Sequence, residues 1–195
     1  EQGLISRPGK FPKIVVDSTT ISVEASAEIR EGLRKAGSMF IAAPVSGNAK
    51  VVKAGKLSVV VSGPKAAFEE VLAYINVFAP SGVSYVGEGE LARIAKICHN
   101  VMLGVVIQNL AEITILAEKA GLSRSAFLSF MNSSVMGSVF SRYKTPAFVN
   151  LDWTTTFTPY LLRKDLDLGL EMGRKLEVPM PLAATTRDIL QTHMG

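Results

Sequence analysis

The chain has 195 residues, of which 48% are hydrophobic, 7% are aromatic and 19% are charged, with a formal net charge of +4. This composition excludes disorder, and it predicts an aliphatic core large enough for one domain or for two small ones. One cysteine and two histidines exclude a disulfide framework and a Cys-based zinc site, and they leave so little for a His-based centre that we predict no metal.

Strand and helix patterns alternate in the first part of the chain. Short β-branched or aliphatic runs predict strands, and the segments between them have helical spacing, with Ser22 suited to an N-cap and Pro64 to a first helical turn. Strands separated by helices of this length form βαβ units, so we predict a mostly parallel sheet. The predicted strands are 13–17, 39–43, 57–61 and 83–86, and the predicted helices are 22–36 and 64–78.

One long helix, from about residue 89 to residue 120, opens the second part, and no strand pattern follows it. Such a helix spans about 45 Å. Its middle is apolar nearly all round, so other helices should bury it on several sides. The stretch Val101–Ala117 contains Gln108, Asn109 and Glu112, which favours a buried helix over a membrane span. Further helices are predicted over 123–134, 138–143, 161–176 and 181–192, with a polar loop at 150–158.

The predicted fold class is therefore α/β followed by all-α, with domains at 1–88 and 89–195 joined by the long helix. Basic residues and prolines near the N-terminus, such as Arg7 and Pro8, interrupt any apolar run, so we expect no secretory signal. One free cysteine fits a reducing compartment, and we predict a cytoplasmic protein. The pI of about 9.2 gives little support to nucleic-acid binding, because the basic residues form no block.

A glycine motif precedes the long helix. The run Gly87-Glu-Gly-Glu-Leu-Ala92 matches the G-x-G-x-x-A fingerprint of dinucleotide binding and lies between a strand and a helix. However, Glu88 and Glu90 would put two carboxylates where a pyrophosphate should bind. We interpret the motif as a tight turn whose acidic residues interact favourably with the N-terminal end of the helix dipole.

The long helix carries the residues best suited to chemistry. Lys96 and Asn100 are four residues apart and share a face, among apolar neighbours. Burial in such surroundings would lower the pKa of the lysine toward the range in which it exchanges protons. A lone lysine is more commonly a surface residue whose stem covers apolar area. The other polar motifs of the chain therefore decide whether Lys96 is a surface residue or an acid/base group.

Three further segments carry polar residues that could form a site together with Lys96. Ala43–Asn48 follows a strand and offers backbone N–H groups and a hydroxyl that could hold a carboxylate. Asp17–Thr20 also follows a strand and places hydroxyls at the carboxyl edge of the sheet, where ligands of α/β proteins bind. Arg163–Asp167 lies within a predicted helix and could equally be a solvated charged face.

In this order, the segments resemble the β-hydroxyacid dehydrogenase family, which includes 3-hydroxyisobutyrate dehydrogenase, tartronate semialdehyde reductase and 6-phosphogluconate dehydrogenase. The resemblance runs from about Ile14 to Leu190. It rests on a spaced set of motifs: D-x-S-T-like at 17–20, A-P-V-S-G at 43–47, G-x-L-x-V-x-V-x-G at 55–63, K-x-x-x-N at 96–100 and K-D-L at 164–166.

The resemblance implies the C-terminal part of a Rossmann-type domain, joined by the long helix to a 6-phosphogluconate dehydrogenase-like helical domain. It implies an oxidoreductase that uses NAD or NADP on a small 3-hydroxyacid or its semialdehyde, in a homodimer or homotetramer without nucleic acid or membrane. Lys96 looks like the catalytic lysine of the family, the general acid/base acting on the substrate hydroxyl. Asn100 matches the residue that helps to hold the substrate.

Other site residues follow from the same resemblance. Ser46, Gly47 and Asn48 match the loop that binds the substrate carboxylate. Thr20 corresponds to the Ser or Thr beside the nicotinamide, and Lys164 matches the lysine that reaches into the cleft near cofactor and substrate. Position 165, an aspartate, looks structural.

The chain also departs from the family pattern. The family begins with a strand, a G-x-G-x-M-G turn and a helix that hold the pyrophosphate, and nothing before Ile14 supplies them. We therefore expect the later part of a longer enzyme, with the choice between NAD and NADP made outside it. Asn48 replaces a glycine and could read a substituent on the substrate. His99 replaces a common asparagine, and we expect it to face a different direction from Lys96, as a packed or hydrogen-bonded residue rather than a catalyst.

Two other functions compete with this one. The main alternative is a catalytically inactive, dehydrogenase-like scaffold for oligomerisation or binding. Lys96 argues against it, because a scaffold has no need of a lysine on an apolar helix face. The other is an imine-reducing branch of the family, in which the lysine is typically replaced.

Overall fold

The computed structural model describes residues 11–194, which form five short strands and eight helices. Their order confirms the predicted fold class, an α/β part followed by an all-α part. The strands are β1 (Ile14–Asp17), β2 (Met39–Ala42), β3 (Val45–Ser46), β4 (Ser58–Val61) and β5 (Gly82–Tyr85). The helices are α1 (Val23–Lys35), α2 (Ala49–Lys53), α3 (Lys65–Phe78), α4 (Leu91–Lys119), α5 (Arg124–Ser133), α6 (Val139–Asn150), α7 (Pro159–Lys175) and α8 (Pro181–Thr192).

The strand pairings are mostly parallel, as predicted, and one short pairing is antiparallel. β1 pairs with β2 in parallel, and β4 pairs with β5 in parallel, as the βαβ pattern predicts. The prediction missed β3, which follows Pro44 and runs antiparallel to β4. A single antiparallel bridge between Ala42 and Ser62 joins the two groups of strands. The chain turns back just after β2, and this turn brings the predicted carboxylate loop to the edge of β4.

Both faces of β2 and β4 are covered, which explains why these two strands are mostly apolar. On β4, Val59 and Val61 face α3 and pack against Phe68 and its neighbours. Val60 points to the opposite face, where it packs in a cluster with Leu33 of α1. The alternation of a strand thus distributes one aliphatic run between two small cores.

The helical part is packed around the first half of α4. Ile97 and Val101 lie in one buried cluster with Leu162 and Leu166 of α7. At Gly169 a Cβ atom would lie 2.2 Å from the Cγ2 atom of Val101, so α4 and α7 approach too closely for any other residue there. This close approach brings the polar side chains of the two helices into contact.

The second half of α4 differs from the prediction that helices bury it on several sides. Val106, Ile115 and Leu116 are exposed. Among residues 11–194, α4 is the one helix long and apolar enough to cross a membrane by length and composition. It also buries Arg93 and Lys96 against the rest of the chain, and core helices pass the same test.

Smaller differences concern helix ends. The prediction missed the short helix α2. It ended α6 at residue 143, whereas the helix continues through Pro146 to Asn150. A proline at that depth costs α6 one backbone hydrogen bond, so a pattern-based boundary falls too early. α7 begins two residues earlier than expected, because Thr158 caps it and Pro159 occupies its first position.

Arg93 joins the two parts of the molecule. Its side chain is fully buried, and its guanidinium forms an ion pair with Asp17 at the end of β1. It also donates to the backbone oxygen of Thr19 and to the Oγ atom of Ser26, the latter at 3.1 Å. One side chain of α4 therefore holds the loop after β1 and the first turns of α1.

We expect Arg93→Met to lower the free energy of unfolding by about 2–4 kcal/mol, because it leaves buried oxygens and the Asp17 carboxylate without a donor. Urea denaturation measures this change. Arg34→Met is the matched control, since Arg34 is exposed and pairs with Glu31; it should leave the free energy of unfolding almost unchanged. A loss below about 1 kcal/mol at Arg93 would show that the junction does not depend on this residue.

Candidate active site

Lys96 is the buried titratable group at the centre of the site. It lies on the face of α4 that meets α7, with 9% of its surface exposed. Burial lowers its pKa from the usual 10.5, and the positive charge of Lys164 lowers it further. The negative charge of Asp165 acts in the opposite direction and raises it. The amine is therefore easier to deprotonate than a surface lysine, as a group that exchanges protons near neutral pH requires.

Asn100, one turn further along α4, connects this lysine face to α7. Its Nδ2 atom donates to Asp165 Oδ2 at 2.6 Å. Lys164 Nζ lies 2.7 Å from Asp165 Oδ1 and donates at 2.8 Å to the backbone oxygen of Thr20. The structure thus brings together Asn100, Lys164 and Thr20, three predicted site residues from distant parts of the chain. Asp165, predicted only as structural, accepts from Asn100 and forms an ion pair with Lys164.

The predicted carboxylate loop contains a glycine that no other residue could replace. Gly47 has a φ of +142°, and a Cβ atom there would lie 2.7 Å from the Cγ1 atom of Val51. Asn48 accepts through Oδ1 from the backbone N–H groups of Lys50 and Val51, at 3.1 and 3.2 Å. Its amide oxygen therefore caps α2, which leaves the Nδ2 group for the predicted contact with substrate. That contact stays a prediction.

His99 is a hydrogen-bonded residue, as expected, and it contacts two of the predicted site residues. Its Nε2 atom lies 3.0 Å from Ser46 Oγ, and its Nδ1 atom lies 2.8 Å from Asn100 Oδ1. The helical wheel of α4 separates His99 from Lys96 but does not show what packs beside it. The missed strand β3 carries Ser46 to this point. In the sequence, the position of His99 directly before Asn100 was the one indication that His99 could contact a predicted site residue.

The surroundings of His99 favour its neutral form. Desolvation lowers its pKa below the usual 6.5, and the nearby charge of Lys96 lowers it further. The hydrogen bond with Asn100 acts in the opposite direction and raises it. At neutral pH His99 is therefore an uncharged link between the carboxylate loop and the polar residues of α4.

The glycine motif before α4 forms a turn, in agreement with the interpretation of its sequence. Gly87 and Gly89 have φ values of +114° and +63°. Glu90 Oε1 accepts from Arg30 Nε at 2.7 Å, so this carboxylate already has a cationic partner. The N–H group of Ala92 donates to Ser62 Oγ at 3.0 Å. The first turn of α4 is thus stabilised by protein groups.

A wide cleft of about 1080 Å³ begins at α2, two residues beyond Asn48, and extends over the helical part. Lys144 in its wall is half-buried and donates to Thr156 Oγ1 at 3.2 Å. Burial lowers the pKa of Lys144, and the charge of Lys50 across the cleft lowers it further. Aromatic and basic side chains both line the cleft, among them Lys50, Lys56, Arg124, Arg142, Tyr143 and Trp153. The cleft therefore favours anionic ligands.

Two family models together match almost the whole chain. Residues 89–194 match the model described as NAD-binding of NADP-dependent 3-hydroxyisobutyrate dehydrogenase. Residues 1–87 match the model described as the NAD binding domain of 6-phosphogluconate dehydrogenase. The first of these matches includes every helix from α4 to α8.

Individual relatives are similar at modest identity. Glyoxylate/succinic semialdehyde reductase 1 of Arabidopsis thaliana is 28% identical over 173 residues, which are 89% of this chain and 60% of that protein. Cytokine-like nuclear factor N-PAC of Xenopus tropicalis is 28% identical over 184 residues, 94% of this chain and 34% of that protein. The solved structure of 3-hydroxyisobutyrate dehydrogenase from Salmonella typhimurium superposes with a TM-score of 0.84 at 28% identity, covering 92% of this chain and 63% of that one. The chain spans about 60% of the length of the first dehydrogenases and reductases it matches.

We expect Asp165→Asn to lower the pKa of Lys96 further, because the carboxylate is the charge that raises it. Titration of the Lys96 side-chain ¹³C resonance in lysine-labelled protein measures the change. Asp167→Asn is the control, since Asp167 pairs with Arg163 and Arg187 instead; it should leave the Lys96 pKa unchanged. An unchanged or raised pKa in Asp165→Asn would contradict this electrostatic description.

Proposed function

The chain belongs to the β-hydroxyacid dehydrogenase family, and from this premise we propose that it transfers a hydride between NAD or NADP and a small 3-hydroxyacid or its semialdehyde. The observation that carries the proposal is a buried lysine of lowered pKa, Lys96, one helical turn from a fixed amide, Asn100. A buried lysine is costly to the fold, and a structural role does not require it. Chemistry at a hydroxyl group accounts for its presence.

In the proposed reaction Lys96 is the general acid/base. In the oxidation it takes the proton from the substrate hydroxyl, and in the reduction it returns a proton to the new alkoxide. The lowered pKa suits both directions, because the amine can be neutral before oxidation and charged before reduction. Asp165 favours the charged form of the lysine.

Two segments are proposed to hold the substrate. Ser46, Gly47 and Asn48 bind its carboxylate through hydroxyl, backbone and amide N–H donors, and the tight turn at Gly47 supports this role. Asn100 orients the substrate beside Lys96, while its own amide is fixed by Asp165. Because both the carboxylate and the hydroxyl are held, only acids with these groups a few bonds apart fit this geometry.

The residues after β1 fit a dinucleotide. Hydroxyl and backbone groups of Ser18, Thr19 and Thr20 lie at the carboxyl end of this parallel strand, where α/β proteins bind such groups. Thr20 and Lys164 are proposed to hold the nicotinamide end, and the hydrogen bond from Lys164 to Thr20 supports their joint position. A bound nicotinamide supplies or accepts the hydride.

The alternative is a dehydrogenase-like scaffold without catalysis. The similarity to a protein named as a cytokine-like nuclear factor supports the scaffold as an alternative, since that name does not describe a dehydrogenase. The two functions differ in what they require of Lys96. A scaffold predicts that the lysine can be exchanged for an apolar residue without loss of function.

We propose a homodimer or homotetramer assembled through α4, in the cytoplasm and without nucleic acid or membrane. The exposed part of α4 repeats with alternating steps of four and three, the spacing of a helix that packs against another helix. This stripe is apolar except for Asn109, and one polar residue in such a seam can fix the register of pairing. The stripe consists of Met102, Val106, Asn109, Ile113 and Leu116.

We expect Lys96→Met to lower kcat with a small semialdehyde and NADH or NADPH by about 10²–10⁴-fold, because the variant retains the size of the side chain but loses the acid/base group. The assay is run on the full-length protein. Lys119→Met, at the last turn of the same helix, is the matched control and should behave as wild type. Turnover within threefold of wild type in Lys96→Met would favour the scaffold.

We expect light scattering of the wild-type protein to give the mass of a dimer or tetramer. Leu116→Glu should shift the mass toward the monomer, because it places a charge in the apolar stripe of α4. Val77→Glu alters an equally exposed apolar residue on α3 and should leave the mass unchanged. A monomeric wild-type protein would contradict the proposed assembly.

A further inference from the structure

The polar side chains of the site form a chain whose hydrogen-bond directions are fixed at one end. The carboxylate of Asp165 can only accept, so Asn100 must present its Nδ2 group to it, as the 2.6 Å contact shows. The Oδ1 atom of Asn100 then faces His99 Nδ1 at 2.8 Å. An amide oxygen can only accept, and therefore the proton of a neutral His99 is on Nδ1.

This tautomer determines the direction of the hydrogen bond between His99 and Ser46. A neutral His99 protonated on Nδ1 has a lone pair on Nε2, which lies 3.0 Å from Ser46 Oγ. Among the residues that the structure describes, the donor placed at that lone pair is the hydroxyl group of Ser46. Since a serine has one hydroxyl proton, Ser46 then presents only lone pairs to a ligand. A carboxylate, which also has only lone pairs, would be repelled.

Resting on the proposed function, we propose that the substrate carboxylate binds together with one proton, which His99 takes up from solvent. The imidazolium then donates from Nε2 to Ser46 Oγ and from Nδ1 to Asn100 Oδ1. The Ser46 hydroxyl turns and donates its proton to the carboxylate. No covalent bond to carbon changes, and the only species gained besides the substrate is the proton. His99 is thus a positioning residue that acts through Ser46.

The charges around His99 support this coupling. Lys96 lies on the same helix and disfavours the imidazolium before substrate binds. Asp165 and Lys164 belong to α7 and reach His99 through Asn100, where their opposite charges form an ion pair at 2.7 Å. β3 contributes the hydroxyl of Ser46. A substrate carboxylate on this loop is the added negative charge that favours protonation of His99.

The sign of the pH dependence follows from this scheme. The pKa of His99 lies below 6.5 in the free protein and rises when the carboxylate binds. Between these two pKa values, each unit of rising pH weakens carboxylate binding by up to about tenfold, because a proton must be bound as well. Below the lower value, affinity no longer changes with pH through this group.

Isobutyrate is a suitable probe because it has a carboxylate but no hydroxyl group to oxidise. Its binding to the full-length protein is measured by calorimetry between pH 5.5 and 8.5, in buffers of different ionisation enthalpy. We expect wild type to take up a proton on binding at pH 7.5, with affinity that weakens as pH rises. The ¹⁵N resonances of His99 should move toward those of an imidazolium when isobutyrate is added.

His99→Asn is the informative variant. An amide can donate to Ser46 but does not titrate, so isobutyrate should bind it without proton uptake and with little change in affinity across this pH range. Ser46→Ala removes the hydroxyl donor and should weaken isobutyrate binding while reducing proton uptake. Circular dichroism confirms that both variants are folded; His99 is exposed, which makes the exchange tolerable.

Two results would overturn the proposal: isobutyrate binding to wild type without proton uptake, or equal proton uptake by His99→Asn. In either case, retained turnover of 3-hydroxyisobutyrate by wild type would leave the proposed function standing. If wild type neither binds isobutyrate at any pH nor turns over 3-hydroxyacids, the proposed function fails and the proton coupling fails with it.

Discussion

The buried guanidinium of Arg93 is the constraint on which the site depends. It is bound at once by the end of β1, by the loop that follows and by α1, so α4 cannot move relative to the strands without leaving a buried charge unpaired. Thr20 directly follows Thr19, which Arg93 contacts, and the backbone oxygen of Thr20 accepts from Lys164 on α7. Lys96 follows Arg93 by three residues on α4. The same ion pair therefore fixes the loop that carries Thr20 and the turn of α4 that carries Lys96.

The proton exchange proposed for Lys96 depends on the small number of charges around its buried amine. Lys96 has Asp165 as its opposing charge and Lys164 as a like charge, and these two pair with each other. Desolvation then dominates and lowers the pKa. A stronger carboxylate partner would have fixed the lysine in its charged form. The arrangement makes the amine easier to deprotonate than a surface lysine, as proton exchange with a hydroxyl group requires.

Local patterns predicted the parts of this structure that depend on local interactions. The spacing of Lys96 and Asn100 placed both on one face of α4, and the K-D-L motif pointed to Lys164. The role of His99 could not be predicted, because it depends on β3, a two-residue strand too short for any periodicity. The exposure of Leu116 was missed for a related reason: apolar composition favours burial but does not identify which residues of the fold would cover a surface. The burial of Arg93 could not be predicted either, because its partners Asp17, Thr19 and Ser26 are distant in the sequence.

A crystal structure of the full-length protein with NAD or NADP and 3-hydroxyisobutyrate would show whether Lys96 exchanges a proton with the substrate hydroxyl. We expect the hydroxyl oxygen within about 2.6–3.2 Å of Lys96 Nζ, with the carboxylate on the loop that contains Ser46. A hydroxyl group bound by another side chain, with Lys96 out of hydrogen-bond reach, would contradict it.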